Sequence, residues 1–189
     1  MIKIGILGDI GSGKSYVAQN FGYPVFNADY EVSKLYKKNK TIFNKLKKIL
    51  PKYISSFPIE KKEISNAILS NKNNLSRIVK IVHFEIKKKM NLFLKRYKNE
   101  KIIILDIPLL LENKINKKSD ILVYVQSKKS DILKRLKKRK NFNQTLLKKF
   151  KAIQLPISYK KKRSHFIIKN NFTKKSVNDS IKKILEEIR

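Results

Sequence analysis

The segment GDIGSGKS, residues 8 to 15, constrains the fold more strongly than any other part of the chain. It matches G-x-x-x-x-G-K-[ST], in which backbone N–H groups surround phosphate oxygens, the lysine reaches the β- and γ-phosphates, and the hydroxyl binds Mg²⁺. An apolar run precedes the match and a helical pattern follows it, as this mechanism requires. The sequence therefore predicts an ATP- or GTP-binding loop, with contacts from Gly8, Gly11, Ser12, Gly13, Lys14, Ser15 and Tyr16.

Strand and helix patterns alternate along the chain, which predicts an α/β fold with a parallel sheet. The predicted strands are 2–8, 23–29, 101–108, 120–126 and 165–169, and the predicted helices outside the long insert are 14–21, 130–140, 143–154 and 176–188. Two stretches stand outside the alternation. One is a helical region over 30–99, broken by Pro51 and Pro58, and the other is a basic stretch over 140–164. Both are candidates for lobes that close over a site.

The net charge of +32 invites a nucleic-acid interpretation. However, most of the basic residues are lysines spread along the chain, and Lys, Ile and Asn all have AT-rich codons. We therefore favour a compositionally biased, solvated surface over a polyanion-binding face. The chain has no cysteine and no signal-peptide pattern, and its most apolar run, 102–111, is too short to span a bilayer. These features predict a soluble cytoplasmic protein.

Two carboxylates follow predicted strands. Asp29 ends the second predicted strand, where it either acts as a catalytic base or caps the next helix. Asp106 ends the run IIILD, the pattern of a carboxylate that holds Mg²⁺, although an aspartate at a strand end is also common. Both interpretations stay open for each residue.

Basic side chains offer a second set of candidates. Arg135 and Arg139 lie four residues apart on one face of the predicted helix 130–140, where they either stabilise a transferred phosphoryl group or form a solvated flank. Neither His83 nor His165 has a second His, a Cys or a carboxylate at the spacing that a metal site requires. A structural role is the default for both.

Further short motifs accompany the glycine-rich loop in a fixed order. They are Asn27-Ala28-Asp29, His83-Phe84, Asp106-Ile107-Pro108-Leu109-Leu110-Leu111-Glu112, Arg135 with Arg139, Gln154 with Pro156, and Lys169-Asn170. The set resembles the dephospho-CoA kinase family, whose pattern reads G-x-I-G-S-G-K-S, D-A-D, H-P, D-x-P-L-L-x-E, R-x-x-x-R, Q-x-P and D-N. The resemblance spans about residues 2–172 and departs from the pattern at Asn27, Phe84 and Lys169.

The resemblance implies a P-loop kinase fold of the nucleoside-monophosphate-kinase type, with three layers and a five-stranded parallel sheet. It divides the chain into a core (about 1–29, 100–139 and 165–189), a helical acceptor-binding insert (about 30–99) and a basic lid (about 140–164). The implied reaction transfers phosphate from ATP, with Mg²⁺, to the ribose 3′-hydroxyl of dephospho-CoA. This is the last step of coenzyme A synthesis.

The same resemblance implies a role for each matching residue. Asp29 is expected to be the base, Lys14 and Ser15 to hold the γ-phosphate and Mg²⁺, and Asp106 to hold Mg²⁺. Arg135 and Arg139 are expected to brace the phosphates from the lid side. The expected acceptor-site residues are His83, Pro108, Leu109, Leu110 and Glu112, and Asn170 is expected near the adenine of ATP.

Two alternatives remain. Another small-molecule or nucleotide P-loop kinase would share the core, but a phosphate-accepting one would carry several arginines in the insert, which has only Arg77 and Arg96. A nucleic-acid-associated ATPase would interleave basic and aromatic residues, whereas the eight Tyr and ten Phe are scattered. The sequence leaves the oligomeric state open.

Overall fold

The structure, a computed structural model, describes residues 1–140 and 142–188. Its sheet has five parallel strands in the order β2-β3-β1-β4-β5. The strands are β1 (Ile2–Gly8), β2 (Val25–Asn27), β3 (Ile102–Asp106), β4 (Ile121–Gln126) and β5 (Phe166–Lys169). The helices are α1 (Lys14–Asn20), α2 (Ala28–Lys38), α3 (Lys40–Ile49), α4 (Lys61–Ser70), α5 (Asn74–Arg96), α6 (Lys129–Lys137), α7 (Gln144–Ala152), α8 (Ile157–Lys162) and α9 (Lys174–Glu187).

The chain packs as two compact units. The core unit comprises the described residues within Met1–Asn27, Tyr97–Phe142 and Ile153–Arg189, and it contains the whole sheet. The helical unit comprises Ala28–Arg96 and Asn143–Ala152, and therefore α2 to α5 with α7. The predicted division into core, insert and lid stays a prediction. Within the described residues, no helix is both long enough and apolar enough to cross a bilayer.

Side chains on the two faces of β1 explain the layering of the core unit. Ile4 and Ile6 join a buried cluster with side chains of α1 and α9. Gly5 points to the opposite face, where Leu110 packs so closely that a Cβ on the glycine would lie 2.5 Å from Leu110 Cδ2. Helix α8 also contacts β1. Both faces of the sheet are covered, as an all-parallel sheet requires. The predicted α/β fold with a five-stranded parallel sheet is confirmed.

Two differences between the predicted and observed element boundaries change the position of a candidate residue. Strand β2 ends at Asn27, and α2 begins at once with the buried Ala28. Asp29 therefore lies in the first turn of α2, neither at a strand end nor at the cap, in a position that favours a carboxylate. Helix α6 ends at Lys137, because no apolar residue after Leu136 continues its buried face. Arg139 consequently lies beyond the helix rather than on one face with Arg135.

Glu63 organises the start of α4 in the helical unit. Its carboxylate accepts hydrogen bonds from the backbone N–H groups of Ser55 (2.7 Å), Ser56 (3.1 Å) and Glu60 (3.0 Å), and the last of these closes a capping box. Desolvation alone would raise the pKa of Glu63. The donors outweigh it and lower the pKa to about 2.

Replacing Glu63 by Gln should lower the free energy of unfolding at pH 7 by about 1 kcal/mol, the usual cost of a lost helix cap. A folded-state pKa below the unfolded one means that ionised Glu63 stabilises the fold above pH 4.5 and that this stabilisation disappears as the pH falls toward 2. Urea unfolding of wild type and variant should therefore differ at pH 7 and converge as the pH approaches 2. An equal difference at both values would contradict this origin, and the exposed Glu187→Gln serves as a control.

Candidate active site

The glycine-rich loop joins β1 to α1, and its backbone carbonyl groups accept hydrogen bonds from Lys14. Lys14 Nζ donates to the carbonyl oxygens of Gly8 (3.2 Å) and Asp9 (2.9 Å). The Ser12 N–H also donates to the Asp9 carbonyl, at 3.2 Å. The loop lies beyond the carboxyl end of β1, between neighbours β3 and β4, which is where ligands bind in open parallel sheets.

Helix α6 packs against this loop. A Cβ added to Gly11 would lie 3.0 Å from Leu136 Cγ and 3.1 Å from Ile132 Cγ2, so the apolar face of α6 fits closely against the glycine. The Arg135 guanidinium on the same helix lies 4.2 Å from the ring centroid of Phe172, a distance typical of a cation–π contact. Packing of α6 thus holds Arg135 in the loop's neighbourhood.

A buried carboxylate stands at the end of β3. Asp106 is 3% exposed, and its Oδ2 accepts a hydrogen bond of 2.7 Å from Asn27 Nδ2. Asn27 and Asp106 are directly opposite each other in the β2–β3 pairing, which fixes this contact. Desolvation raises the pKa of Asp106, opposed by a hydrogen bond from the Ser15 side chain, the charge of Lys14 and the Asn27 amide.

The donor set at Asp106 suits a magnesium ion. Asp106 and the Ser15 hydroxyl are in direct contact, and both offer the oxygen ligands that Mg²⁺ prefers. In the described residues, no cluster of three or more His, Cys, Asp or Glu side chains could hold a metal ion by itself. Mg²⁺ commonly uses one or two protein ligands and completes its shell with phosphate oxygens and water. The pair fits such an ion.

Asn170 supports the loop from the end of β5. It is 3% exposed, its Nδ2 donates to the Ser12 carbonyl at 2.8 Å, and its Oδ1 accepts from the Phe172 N–H at 2.8 Å. The Ser127 hydroxyl donates to the same Ser12 carbonyl at 3.0 Å. These bonds fix the loop backbone. The expected proximity of Asn170 to adenine stays a prediction.

Two of these supports are absent from the sequence prediction. Phe172 adopts a left-handed backbone with φ of 66°, which is uncommon for a bulky residue and points to a local requirement. Its sequence signal is weak, since only the preceding pair of asparagines suggests a turn. Ser127 follows β4 directly and has no motif to single it out.

Gly13 tolerates no side chain. Its φ is 92°, and an added Cβ would lie 2.4 Å from Asn170 Nδ2 and 3.4 Å from Phe172 Cε1. Gly13→Ala should therefore lower the free energy of unfolding by about 2 kcal/mol through strain and displacement of Asn170. It should also weaken ATP binding at least about tenfold, since the loop N–H groups move.

Gly22→Ala is the matched control, because Gly22 has a φ of 75° but open space around its Cβ. It should show only the backbone strain, about 1 kcal/mol, with unchanged ATP affinity. Urea unfolding and nucleotide titration measure both quantities. Equal ATP affinities in the two variants would contradict the role of the Asn170 contact.

The run from Pro108 to Glu112 follows Asp106, and its members differ in exposure. Pro108 and Leu109 are half-buried and can still meet a ligand. Leu110 has no exposed surface and packs on Gly5, so we correct its assignment from acceptor contact to core support. Glu112 forms a buried ion pair with Lys160 rather than offering its carboxylate to solvent.

The two histidines have different surroundings. His83 lies on α5 in the helical unit, and its Nε2 is buried without a hydrogen-bond partner among the described residues. An orphaned buried nitrogen of this kind calls for an explanation such as a ligand. His165 instead accepts a 3.0 Å hydrogen bond at Nδ1 from the Leu122 N–H, as its predicted structural role requires.

The remaining predicted residues are exposed. Asp29 lies in the first turn of α2, Tyr16 on α1, and Arg139 in the bend after α6, all with exposed side chains. The structure therefore brings together Lys14, Ser15, Asp106, Asn170 and Arg135 within the core unit.

Comparisons with known proteins show which family this chain resembles. The family model described as CoaE, dephospho-CoA kinase, matches residues 2–176. A dephospho-CoA kinase from a Wolbachia of Brugia malayi is 31% identical over 98% of this chain and 97% of its own length. The crystal structure of TT1252 from Thermus thermophilus shares 25% identity over 100% of this chain and 98% of its own, with a TM-score of 0.79.

A fourth comparison concerns the fold. The solved dephospho-CoA kinase of Campylobacter jejuni, 22% identical, covers 98% of this chain and 96% of its own with a TM-score of 0.64. The family match extends over nearly the whole sequence, including the loop, the Asp106 run and the Asn170 turn. The chain therefore belongs to the dephospho-CoA kinase family, the enzymes that catalyse the final step of coenzyme A biosynthesis.

Proposed function

We propose that the protein transfers the γ-phosphoryl group of ATP to the ribose 3′-hydroxyl of dephospho-CoA, with Mg²⁺, in the cytoplasm. The observation that carries the residue assignments is the contact of Ser15, Asp106 and Asn27 beside Lys14. This places a buried carboxylate, a hydroxyl and an ammonium at the loop whose motif binds phosphates. The absence of cysteine permits a reducing compartment.

On the nucleotide side, the loop N–H groups bind the phosphates and Lys14 moves from the Gly8 and Asp9 carbonyls to the β- and γ-phosphates. Ser15 and Asp106 would hold Mg²⁺, which would neutralise charge that develops on the transferred group. Asn27 orients the Asp106 carboxylate by occupying Oδ2. Asn170 keeps the loop backbone in place through its hydrogen bond to the Ser12 carbonyl. Its proposed second role is to lie next to the adenine of ATP.

On the acceptor side, Asp29 is the proposed base. The 3′-hydroxyl loses its proton to the Asp29 carboxylate, the hydroxyl oxygen forms a bond to the γ-phosphorus, and the bond from that phosphorus to ADP breaks. Two features support the assignment: the side chain is exposed, and it follows by two residues Asn27, the partner of Asp106. Loose phosphoryl transfer demands mainly such positioning of the nucleophile.

Five residues complete the proposed acceptor and phosphate contacts. His83, with its buried unpartnered Nε2, offers a hydrogen bond to the acceptor, and Pro108 with Leu109 offers apolar surface. Arg135, already near the loop, and the exposed Arg139 brace the phosphates, for which a planar guanidinium is well suited.

The experiment that tests the reaction measures ADP release and product mass with purified protein, Mg-ATP and dephospho-CoA. Adenosine and AMP serve as alternative acceptors, and a mixed RNA as a stimulator control. Release with dephospho-CoA alone, and a product heavier by one phosphoryl group, is expected. Release that needs RNA, or that occurs with another acceptor only, would overturn the proposal.

A further inference from the structure

A buried ion pair in the core unit joins two residues, Glu112 and Lys160, to which the proposed reaction gives no role. Lys160 Nζ lies 2.7 Å from Glu112 Oε1, with side chains 3% and 9% exposed. Lys160 also donates to Gln154 Oε1 at 3.0 Å, and the Leu155 N–H donates to Glu112 Oε1 at 3.0 Å. The second carboxylate oxygen, Oε2, is buried and has no hydrogen-bond partner among the described residues.

Such a pair is a costly way to hold a fold together. Removing two charges from water is expensive, and well-packed apolar residues often stabilise a protein equally well. Here the carboxylate uses only one of its oxygens, so the burial is incompletely compensated. Among the lysines and arginines that the structure describes, Lys160, with 2% of its surface exposed, is the only buried one.

The positions of the partners suggest what the pair determines. Glu112 ends the run that follows Asp106, the carboxylate beside the phosphate loop. Its contacts lie on the segment 154–160, through which the chain re-enters the core unit after α7, a helix of the other unit. Glu112 Oε1 therefore holds this re-entry point in two ways. It accepts the hydrogen bond from the Leu155 N–H, and through Lys160 it is linked to the side chain of Gln154.

We propose that Glu112 and Lys160 are positioning residues for phosphoryl transfer: their buried pair fixes segment 154–160, which is part of the predicted basic lid (about 140–164), to the run that follows Asp106. The inference rests on the proposed function, with Glu112 acting through Lys160 rather than by contact with the acceptor. It assigns Lys160 a role, and it explains why a kinase keeps an imperfectly satisfied charge pair here.

The test uses three variants of the full chain. Glu112→Gln keeps an oxygen acceptor for the Leu155 N–H but removes the charge, Lys160→Met removes the ammonium, and the double variant leaves no buried charge unpaired. The exposed pair Lys182–Glu186, with N–O separation of 4.0 Å, supplies the matched control as Lys182→Met with Glu186→Gln.

Three quantities are measured for each variant. They are the thermal midpoint, the kinetic constants for dephospho-CoA together with the ATP dissociation constant, and the rate of tryptic cleavage after Lys162 and Arg163 at the end of α8. Each single variant should lower the midpoint by about 10 °C, as loss of one partner of a buried pair does in a protein of this size. The double variant should recover to within about 3 °C of wild type.

If the pair positions these segments for phosphoryl transfer, the double variant should regain its thermal midpoint but not its kcat. All three variants should show kcat lowered about tenfold, tryptic cleavage at the end of α8 accelerated about tenfold, and ATP affinity within about twofold of wild type. The control pair should change none of these. Recovery of kcat and protease resistance in the double variant would reduce the pair to a purely structural role.

A different pattern would restore Glu112 to the acceptor site. In that case Glu112→Gln would raise the KM for dephospho-CoA far more than Lys160→Met does, because only one of the two residues would touch the acceptor. The thermal midpoint and the rate of tryptic cleavage can be measured in a protein without catalytic activity. They therefore test the inference even if wild-type protein fails to phosphorylate dephospho-CoA, which would count against the proposed function alone.

Discussion

Replacing Asp29 by Asn should lower kcat for dephospho-CoA phosphorylation by about a thousandfold, the middle of the range for loss of a general base. Asn keeps the size and the hydrogen-bonding reach of the side chain but does not accept the proton of the 3′-hydroxyl. The residue is exposed in the first turn of α2, so the free energy of unfolding should change by less than about 1 kcal/mol.

The measurement compares steady-state kinetics and ATP affinity of Asp29→Asn with those of Glu31→Gln. Glu31 stands in the same first turn, and its carboxylate pairs with Lys34 at 3.0 Å, so it matches Asp29 in helix position and charge. The Glu31 variant should keep kcat within about twofold, and both variants should bind ATP as wild type does. A thousandfold loss in both would indicate helix disruption. Retention of kcat in Asp29→Asn would leave the reaction intact and require a different base.

Local patterns in the sequence carried the prediction of the phosphate loop and of the strand before Asp106. In both cases the pattern lies in consecutive residues. A buried apolar strand is followed directly by residues whose chemistry suits phosphate or Mg²⁺ binding. The ends of helices and strands were less predictable, because they depend on where the apolar surface that an element packs against ends. Arg139 fell outside α6 for this reason, since no apolar side chain extends the helix face beyond Leu136.

No local sequence pattern predicted the hydrogen bonds that support the candidate site. Asn27 meets Asp106 across 79 residues of chain, and Asn170 meets Ser12 across 158. Periodicity reports which face of an element is buried, but not which strand lies beside it. The Asn27 contact became visible only with the β2–β3 register, which shows that the residue departing from the family pattern donates a hydrogen bond to Asp106.

Asp106→Asn should lower kcat/KM by about a hundred- to a thousandfold, because Ser15 would lose the anionic partner proposed to hold Mg²⁺. Its effect on stability should be small or favourable. Burial raises the pKa of Asp106, so the charge is costly where it stands, and an amide of the same shape avoids that cost. Urea unfolding should therefore place the variant within about 1 kcal/mol of wild type, or above it. A large loss of stability together with activity would make Asp106 a structural residue.

Exchanging the two partners separates the charge from its position. In Asn27→Asp combined with Asp106→Asn, the carboxylate moves from β3 to β2, while the amide–carboxylate hydrogen bond between directly paired residues is retained. If the carboxylate must contact Ser15, the exchange should remain as inactive as Asp106→Asn although its stability matches wild type. Mn²⁺ binding in the presence of ATP should weaken in both variants, which provides a readout independent of turnover. Full activity in the exchanged protein would mean that this end of the sheet needs one negative charge but not a particular ligand, and the assignment of Asp106 to the metal would fall.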